Sequence, residues 1–310
     1  MEEIARAVSR VLGSDARIDA AARGGNSRVY IASRGGQRYA VKHYFRDDRN
    51  RLHAERSFLE FAAAAGITAV PRVVGSHGDV GVYEFIAGRP LNLTDVTARR
   101  VQEAASFFRA LNAHRDKAAA LPLASEACFT IDEHLAMVDR RVGRLGTITD
   151  VAARRFAADL ERRWLEIRSR VSTHGDAGIE RCVSPSDFGF HNALVRDSGE
   201  LAFLDFEYAG WDDPAKMLCD FFTHPALPVP REHFDEFAAT TMAFSPRRAP
   251  LEARARALLP LFQIKWCCIM LNEFVPGAAE RRRFANPGQD EAAARARQLE
   301  KAGALLAAIR

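Results

Sequence analysis

Three side chains suited to handling phosphate esters fall close together in the second half of the chain. Asp187 and Asn192 stand five residues apart in Ser184-Pro185-Ser186-Asp187-Phe188-Gly189-Phe190-His191-Asn192, and Asp205 follows thirteen residues after Asn192. A carboxylate can orient or accept the proton of an attacking hydroxyl. An amide oxygen and a second carboxylate suit Mg2+, a hard cation that prefers oxygen ligands. Phosphoryl transfer from a nucleotide needs these parts, because its catalysis is mostly positioning and charge neutralisation. Gly189 makes the Asp187–Asn192 stretch an irregular loop. Strands are expected at Asn192–Val195 and Leu201–Asp205, joined across Asp197-Ser198-Gly199. That hairpin brings Asn192 and Asp205 to one end, where they can share a metal. Polar caps at strand ends are the plainer alternative.

The upstream half of the chain offers the complementary pieces. In Gly24-Gly25-Asn26-Ser27-Arg28-Val29-Tyr30, glycines between two strands let backbone N–H groups approach phosphate oxygens, with a hydroxyl from Ser27. Gly25, Asn26 and Ser27 are the candidate contacts, and an ordinary hairpin turn is the competing reading. Tyr39-Ala40-Val41-Lys42 puts a lysine at the end of the next strand, where it can reach nucleotide phosphates if a helix-borne carboxylate positions it. Glu55 is the candidate partner and Glu60 the alternative. Val82-Tyr83-Glu84-Phe85-Ile86-Ala87-Gly88 is a connector whose backbone can meet an adenine edge or serve only as a linker.

These pieces need a scaffold, and 310 residues exceed one typical core. An amphipathic helix at 1–13 precedes strands at 17–22, 28–33 and 38–44. A helix at 48–65 and strands at 72–77 and 80–86 follow. Beyond Gly88-Arg89-Pro90, helical periods dominate at 95–115, 130–142, 150–172, 230–243, 250–273 and 290–309, interrupted by a β-rich insert at 182–206. Strands first and helices later predict an α+β fold: a small antiparallel-sheet N-lobe over 1–87 and a larger, mostly helical C-lobe over 88–310.

Other features mark functions to set aside. A net charge of +4 is small for this length and does not suggest nucleic-acid binding, which needs a concentrated basic face. Five scattered cysteines form no CxxC pair and suit a reducing compartment. With no signal-like leader and no membrane-length apolar run, the expected location is cytoplasmic. His174-Gly175-Asp176 lacks a following Asn at the right spacing and reads as a turn. His191, next to Asn192, could touch a phosphate or act as an acid, but reads rather as a loop residue bonded to backbone, and His114 and His224 as too isolated for metal ligands. Trp211 and Trp266 are expected in the core rather than stacked on a sugar.

Taken together, G-G-N-S-R-V-Y, Y-A-V-K, the helix glutamate, Y-E-F-I-A-G, D-F-G-F-H-N and L-D-F-E-Y-A-G-W-D-D-P make residues 20–222 resemble the aminoglycoside phosphotransferase/choline kinase family. The resemblance implies a bilobal protein-kinase-like fold and ATP with Mg2+. It further implies a Lys42–Glu55 phosphate-binding pair, an adenine hinge at Glu84, Phe85 and Ile86, Asp187 as catalytic base, and Asn192 and Asp205 as metal ligands. The implied partner is a small hydroxylated molecule: a sugar, aminosugar or amino alcohol. Two positions depart from the family pattern. Pro185-Ser186 replace His-Gly before Asp187, and Met217 stands where an Asp is usual, leaving Asp220 to brace the loop. A nucleotide-binding pseudokinase that regulates a partner protein is the alternative. The sequence is silent on oligomeric state.

Overall fold

Tyr30 and Ala32 turn inward along Arg28–Arg34 (β2), a period of two that pairs it with Gln37–His43 (β3) across the Gly35-Gly36 turn. Both glycines have positive φ, which that tight connection requires. Arg17–Ala22 (β1), Val73–His77 (β4) and Val80–Glu84 (β5) complete a five-stranded antiparallel sheet in the order β1-β2-β3-β5-β4. The computed structural model describes residues 1–22, 27–46, 49–171, 179–276, 284 and 290–309. Gly25, Asn26, His174-Gly175-Asp176 and Arg281-Arg282-Arg283 lie outside the described residues.

The sheet alternates its side chains between two helices. Val80 and Val82 join Tyr30, Ala32 and Val41 beneath Glu2–Leu12 (α1), which buries Ile4, Val8 and Leu12. Tyr83 points the other way, into the core shared with Phe58, Leu59 and Ala62 of Arg51–Ala64 (α2). That larger core continues without a break into the helical part of the molecule. Lys42 neighbours Val41 on β3, so it too leaves the α1 face and turns towards α2.

After the two-residue strand Arg89–Pro90 (β6) come Ala98–Ala113 (α3), Ile131–Arg144 (α4) and Val151–Arg168 (α5). Capping side chains set their starts: Thr97 for α3, a Thr130/Glu133 capping box for α4 and Asp150 for α5. Cys182–Ser184 (β7) then pairs with Gly210–Asp212 (β10), and Ala193–Val195 (β8) pairs with Leu201–Phe203 (β9). The chain ends in Pro214–Thr223 (α6), Phe234–Thr241 (α7), Arg248–Met270 (α8) and Glu291–Ala307 (α9). α6 is absent from the expected helical periods: every one of its residues is buried, and its polar residues Lys216 and Asp220 are paired in the interior rather than set on a solvent face. Its N-terminal signal was nevertheless present: Asp213 caps the helix, with Pro214 in the first turn.

Candidate active site

Lys42 is the link between the sheet and the later half of the chain. Its Nζ donates to Glu55 Oε2 at 2.5 Å and to Asp205 Oδ1 at 2.6 Å, and lies 4.0 Å from Glu207 Oε2. Burial would lower the lysine's pKa. Asp205, Glu55 and Glu207 outweigh that and raise it well above its ordinary value, so it stays an ammonium. Glu55 is held in turn by Tyr44, whose hydroxyl donates to Oε2 at 2.7 Å and receives from Tyr83 at 2.7 Å. Tyr83 folds back over Gly81, where a Cβ would sit 2.4 Å from the phenol oxygen. Glu60 pairs instead with Arg56 on the exposed face of α2.

Asp205 follows β9 in the left-handed region, at φ 67°, where non-glycine residues are uncommon. Phe206 anchors it by stacking on Phe58 at 4.5 Å, and burial of such a side chain contributes about 1.5–3 kcal/mol. Glu207 receives the Ser27 hydroxyl at 2.8 Å and lies 3.5 Å from Arg51 Nε. Ser27, beside the undescribed Gly25 and Asn26, therefore reaches this carboxylate. Burial, then the charge of Asp205, pushes Glu207 up to about 7.

Asp187 repeats the same local arrangement. Ser186 and Asp187 have φ of 48° and 43°, and Phe188 is buried among Phe107, Phe203 and Phe221. The Asn192 amide N–H donates to the Asp187 carbonyl at 3.2 Å. Leu204 N–H donates to the Asn192 carbonyl at 2.8 Å, extending the β8–β9 ladder to within one residue of Asp205. The hairpin thus carries Asn192 and Asp205 at the same end.

A buried ionic network lies under the Asp187 loop. Lys216 donates to Asp212 at 2.7 Å and to the Ser186 hydroxyl at 3.3 Å, and Asp220 lies 3.3 Å away. Asp220 also receives Lys265 at 2.8 Å. Asp220 thus reaches the loop through Lys216, while Met217 is wholly buried. Asp213 receives Arg254 at 2.9 Å and lies 3.1 Å from His134.

Two imidazoles complete the surroundings of Asp187. His191 Nε2 lies 3.6 Å and His224 Nε2 3.5 Å from Asp187 Oδ1, with the rings stacked 3.5 Å apart and 3° from parallel. The reading of His191 as backbone-bonded is corrected, since neither of its ring nitrogens has a hydrogen-bond partner among the described residues. Burial would raise Asp187, but His191 and His224 hold it well below the usual carboxylate range. His224 was missed as a functional candidate because it is distant in sequence and sits just after the unrecognised α6.

The hinge candidates are less engaged. Glu84 ends the ladder opposite Tyr39, and both its N–H and its carboxylate bond to the backbone of Arg72. Phe85 carries the Arg38 guanidinium over its ring at 3.9 Å, and Ile86 is buried. Trp266 is buried beside His224, and Trp211 is half-buried with its indole N–H on the Ala118 carbonyl.

A sequence model of the phosphotransferase enzyme family (APH) matches residues 18–258. The chain belongs to this family. Its fold also matches solved structures. One is an ethanolamine kinase from Plasmodium vivax: 13% identity, TM-score 0.60, covering 94% of this chain and 83% of that one. Another is a choline/ethanolamine kinase family protein from Mesorhizobium loti: 21%, 0.60, 94% and 92%. A third is a macrolide 2'-phosphotransferase from Brachybacterium faecium: 19%, 0.57, 90% and 94%. Among curated protein sequences, none matches. At these identities the likeness concerns the bilobal, kinase-like fold of the family. No helix among the described residues is long and apolar enough to cross a membrane.

The donor set also fits the family's expected metal. Glu55, Asp205 and Glu207 bring three carboxylates within ligating reach of one another, against the cations Lys42 and Arg51. Burial first and then the charge of Asp205 raise the pKa of Glu207, and this all-oxygen carboxylate set suits a hard divalent cation.

Proposed function

We propose that the protein is an ATP-dependent phosphotransferase that moves the γ-phosphate to a hydroxyl of a small molecule. The observation that carries this reading is the Lys42 ammonium, held at once by Glu55 of α2 at 2.5 Å and by Asp205 at 2.6 Å. It joins a phosphate-seeking cation on the sheet to a carboxylate beside the Asp187 loop. Residues 1–87 hold the nucleotide, with Gly25, Asn26 and Ser27 at the phosphates and Glu84, Phe85 and Ile86 along the adenine. Residues 88–310 supply the catalytic loop and the acceptor site.

In this mechanism Lys42, positioned by Glu55, meets phosphate oxygens of the nucleotide. Asn192 and Asp205 would hold Mg2+, and the chemistry it would supply there is neutralisation of charge on the phosphates. Asp187 accepts the hydrogen bond of the acceptor hydroxyl and aims its oxygen at the γ-phosphorus. It takes the proton as the new P–O bond forms and the bond from the γ-phosphorus to the β,γ-bridging oxygen breaks, with ADP as the leaving group. The depressed pKa of Asp187 keeps it ionised, so that it can accept the hydrogen bond of the hydroxyl. The similar structures are named for ethanolamine, choline and macrolide, each of which presents a hydroxyl, and a sugar, aminosugar or amino alcohol is the acceptor class proposed here.

A coupled ADP-release assay over sugars, aminosugars and amino alcohols tests the reading. Acceptor-dependent ADP release that Asp187→Ala abolishes is the expected outcome. Release that survives both Asp187→Ala and Asp205→Ala defeats the site assignment. Nucleotide binding by thermal shift with no turnover on any acceptor favours the pseudokinase alternative.

A further inference from the structure

We propose that His224 is a positioning residue for Asp187, its Nε2–H steering the carboxylate while His191 and Trp266 fix the plane of the ring. This rests on the reading of Asp187 as the catalytic base. The tautomer follows from the backbone. Ala226 N–H donates to His224 Nδ1 at 3.2 Å, so in the neutral ring the proton sits on Nε2. Burial, then the neighbouring His191, holds His224 below the ordinary imidazole value, which keeps it neutral at pH 7. The protonated nitrogen therefore faces Asp187 Oδ1 at 3.5 Å. That is longer than a formed hydrogen bond, and such catalytic contacts tighten once substrate is in place.

The ring cannot easily turn away. His191 covers one face at 3.5 Å, and Trp266 meets it edge-on at 4.2 Å and 75°. Among the described residues the two imidazoles are the only cation-capable groups paired with the Asp187 carboxylate. Gly189 keeps the stack in place, since a Cβ there would lie 2.8 Å from His191 Nδ1. Asp187 itself occupies left-handed backbone at φ 43°, a strained conformation that persists only where its surroundings over-determine it.

A transition-metal site made of Asp187, His191 and His224 is the rival, since their ligand atoms lie within 4.8 Å of one another. Its geometry is poor. With ring planes 3° from parallel and 3.5 Å apart, a metal in the plane of one imidazole lies far out of the plane of the other. The Ala226 bond also leaves a proton, not a lone pair, on His224 Nε2.

The test compares His224→Phe, His224→Gln, His224→Asn and Asp187→Asn by ADP release from Mg·ATP with the best acceptor of the panel. His224→Phe keeps the stacking but no donor, and is expected to lower kcat by about 10²-fold with KM for ATP unchanged. His224→Gln, whose amide reaches the Nε2 position, restores most of that loss, and His224→Asn, which reaches only Nδ1, does not. In the Asp187→Asn background His224→Phe adds nothing further. Full activity in Asp187→Asn defeats the reading of the base. An inactive Asp187→Asn alongside an undiminished His224→Phe, or equal losses in the Gln and Asn variants, overturns the inference about His224. If the Phe variant does not fold, the Gln/Asn comparison decides.

Discussion

Asp205 and Asp187 share a local design, each in left-handed backbone and each followed by a buried Phe, yet their side chains meet opposite surroundings. Asp205 lies against an ammonium already shared with Glu55, in a cluster where carboxylates outnumber cations. Asp187 faces two imidazoles and no fixed cation among the described residues. The Asp-Phe pair thus places a carboxylate at a loop apex, while the neighbours decide its use. One site is short of positive charge and suits a cation. The other leaves an ionised carboxylate beside two imidazoles, the group to which the proposed mechanism assigns the acceptor hydroxyl.

The largest expected effect tests that division directly. Asp187→Asn and Asp205→Asn should each lower kcat by about 10²–10⁴-fold. Only Asp205→Asn should also shift the Mg2+ concentration needed for half-maximal ADP release. Equal Mg2+ shifts in both variants would collapse the distinction between the two carboxylates.

The network beneath the Asp187 loop should matter for folding more than for metal. Lys216→Met leaves Asp212 and Asp220 buried without their shared cation, and removing one partner of a buried pair is destabilising by about 3–5 kcal/mol. Urea unfolding should report that loss with the Mg2+ dependence of residual activity unchanged. A loss below about 1 kcal/mol would mean that Lys265 and solvent neutralise the acids instead.

The smallest effect concerns an ion pair outside both clusters. Burial pushes Glu126 up, but Arg141, both of whose contacts to the carboxylate are 2.5 Å, outweighs it and holds the acid at about 2. A folded value below the ordinary 4.5 means stability that is present above pH 4.5 and is lost as pH falls towards 2. Glu126→Gln should lower stability at pH 7 by on the order of 2 kcal/mol and flatten the acid limb of the melting curve. An unchanged acid limb would place the acid sensitivity elsewhere.

Much of the site was legible because its residues are close in sequence or sit on elements with a clear period. Lys42 followed from a β-period and Glu55 from a helical one, and the Asn192–Asp205 hairpin from its turn. α6 was illegible by periodicity because it is buried all round, and with it went the position of His224. His191 was seen but misjudged: its partner is a ring 33 residues away, and no local pattern encodes a stack between side chains so far apart. Ser27 was assigned to phosphate from its turn, and its bond to Glu207 spans 180 residues.

By itself the sequence determined the sheet-then-helix order, the Asp-x-x-x-x-Asn loop and the Asp205 hairpin, because these rest on short-range spacing and turn chemistry. The tertiary structure alone decided which carboxylate each cation meets, that Glu207 and Ser27 join the Lys42 cluster, and that His224 stands over Asp187. Electrostatic pairing and ring stacking act across space in a packed interior, and packing brings together residues whose separation along the chain carries no trace of their contact.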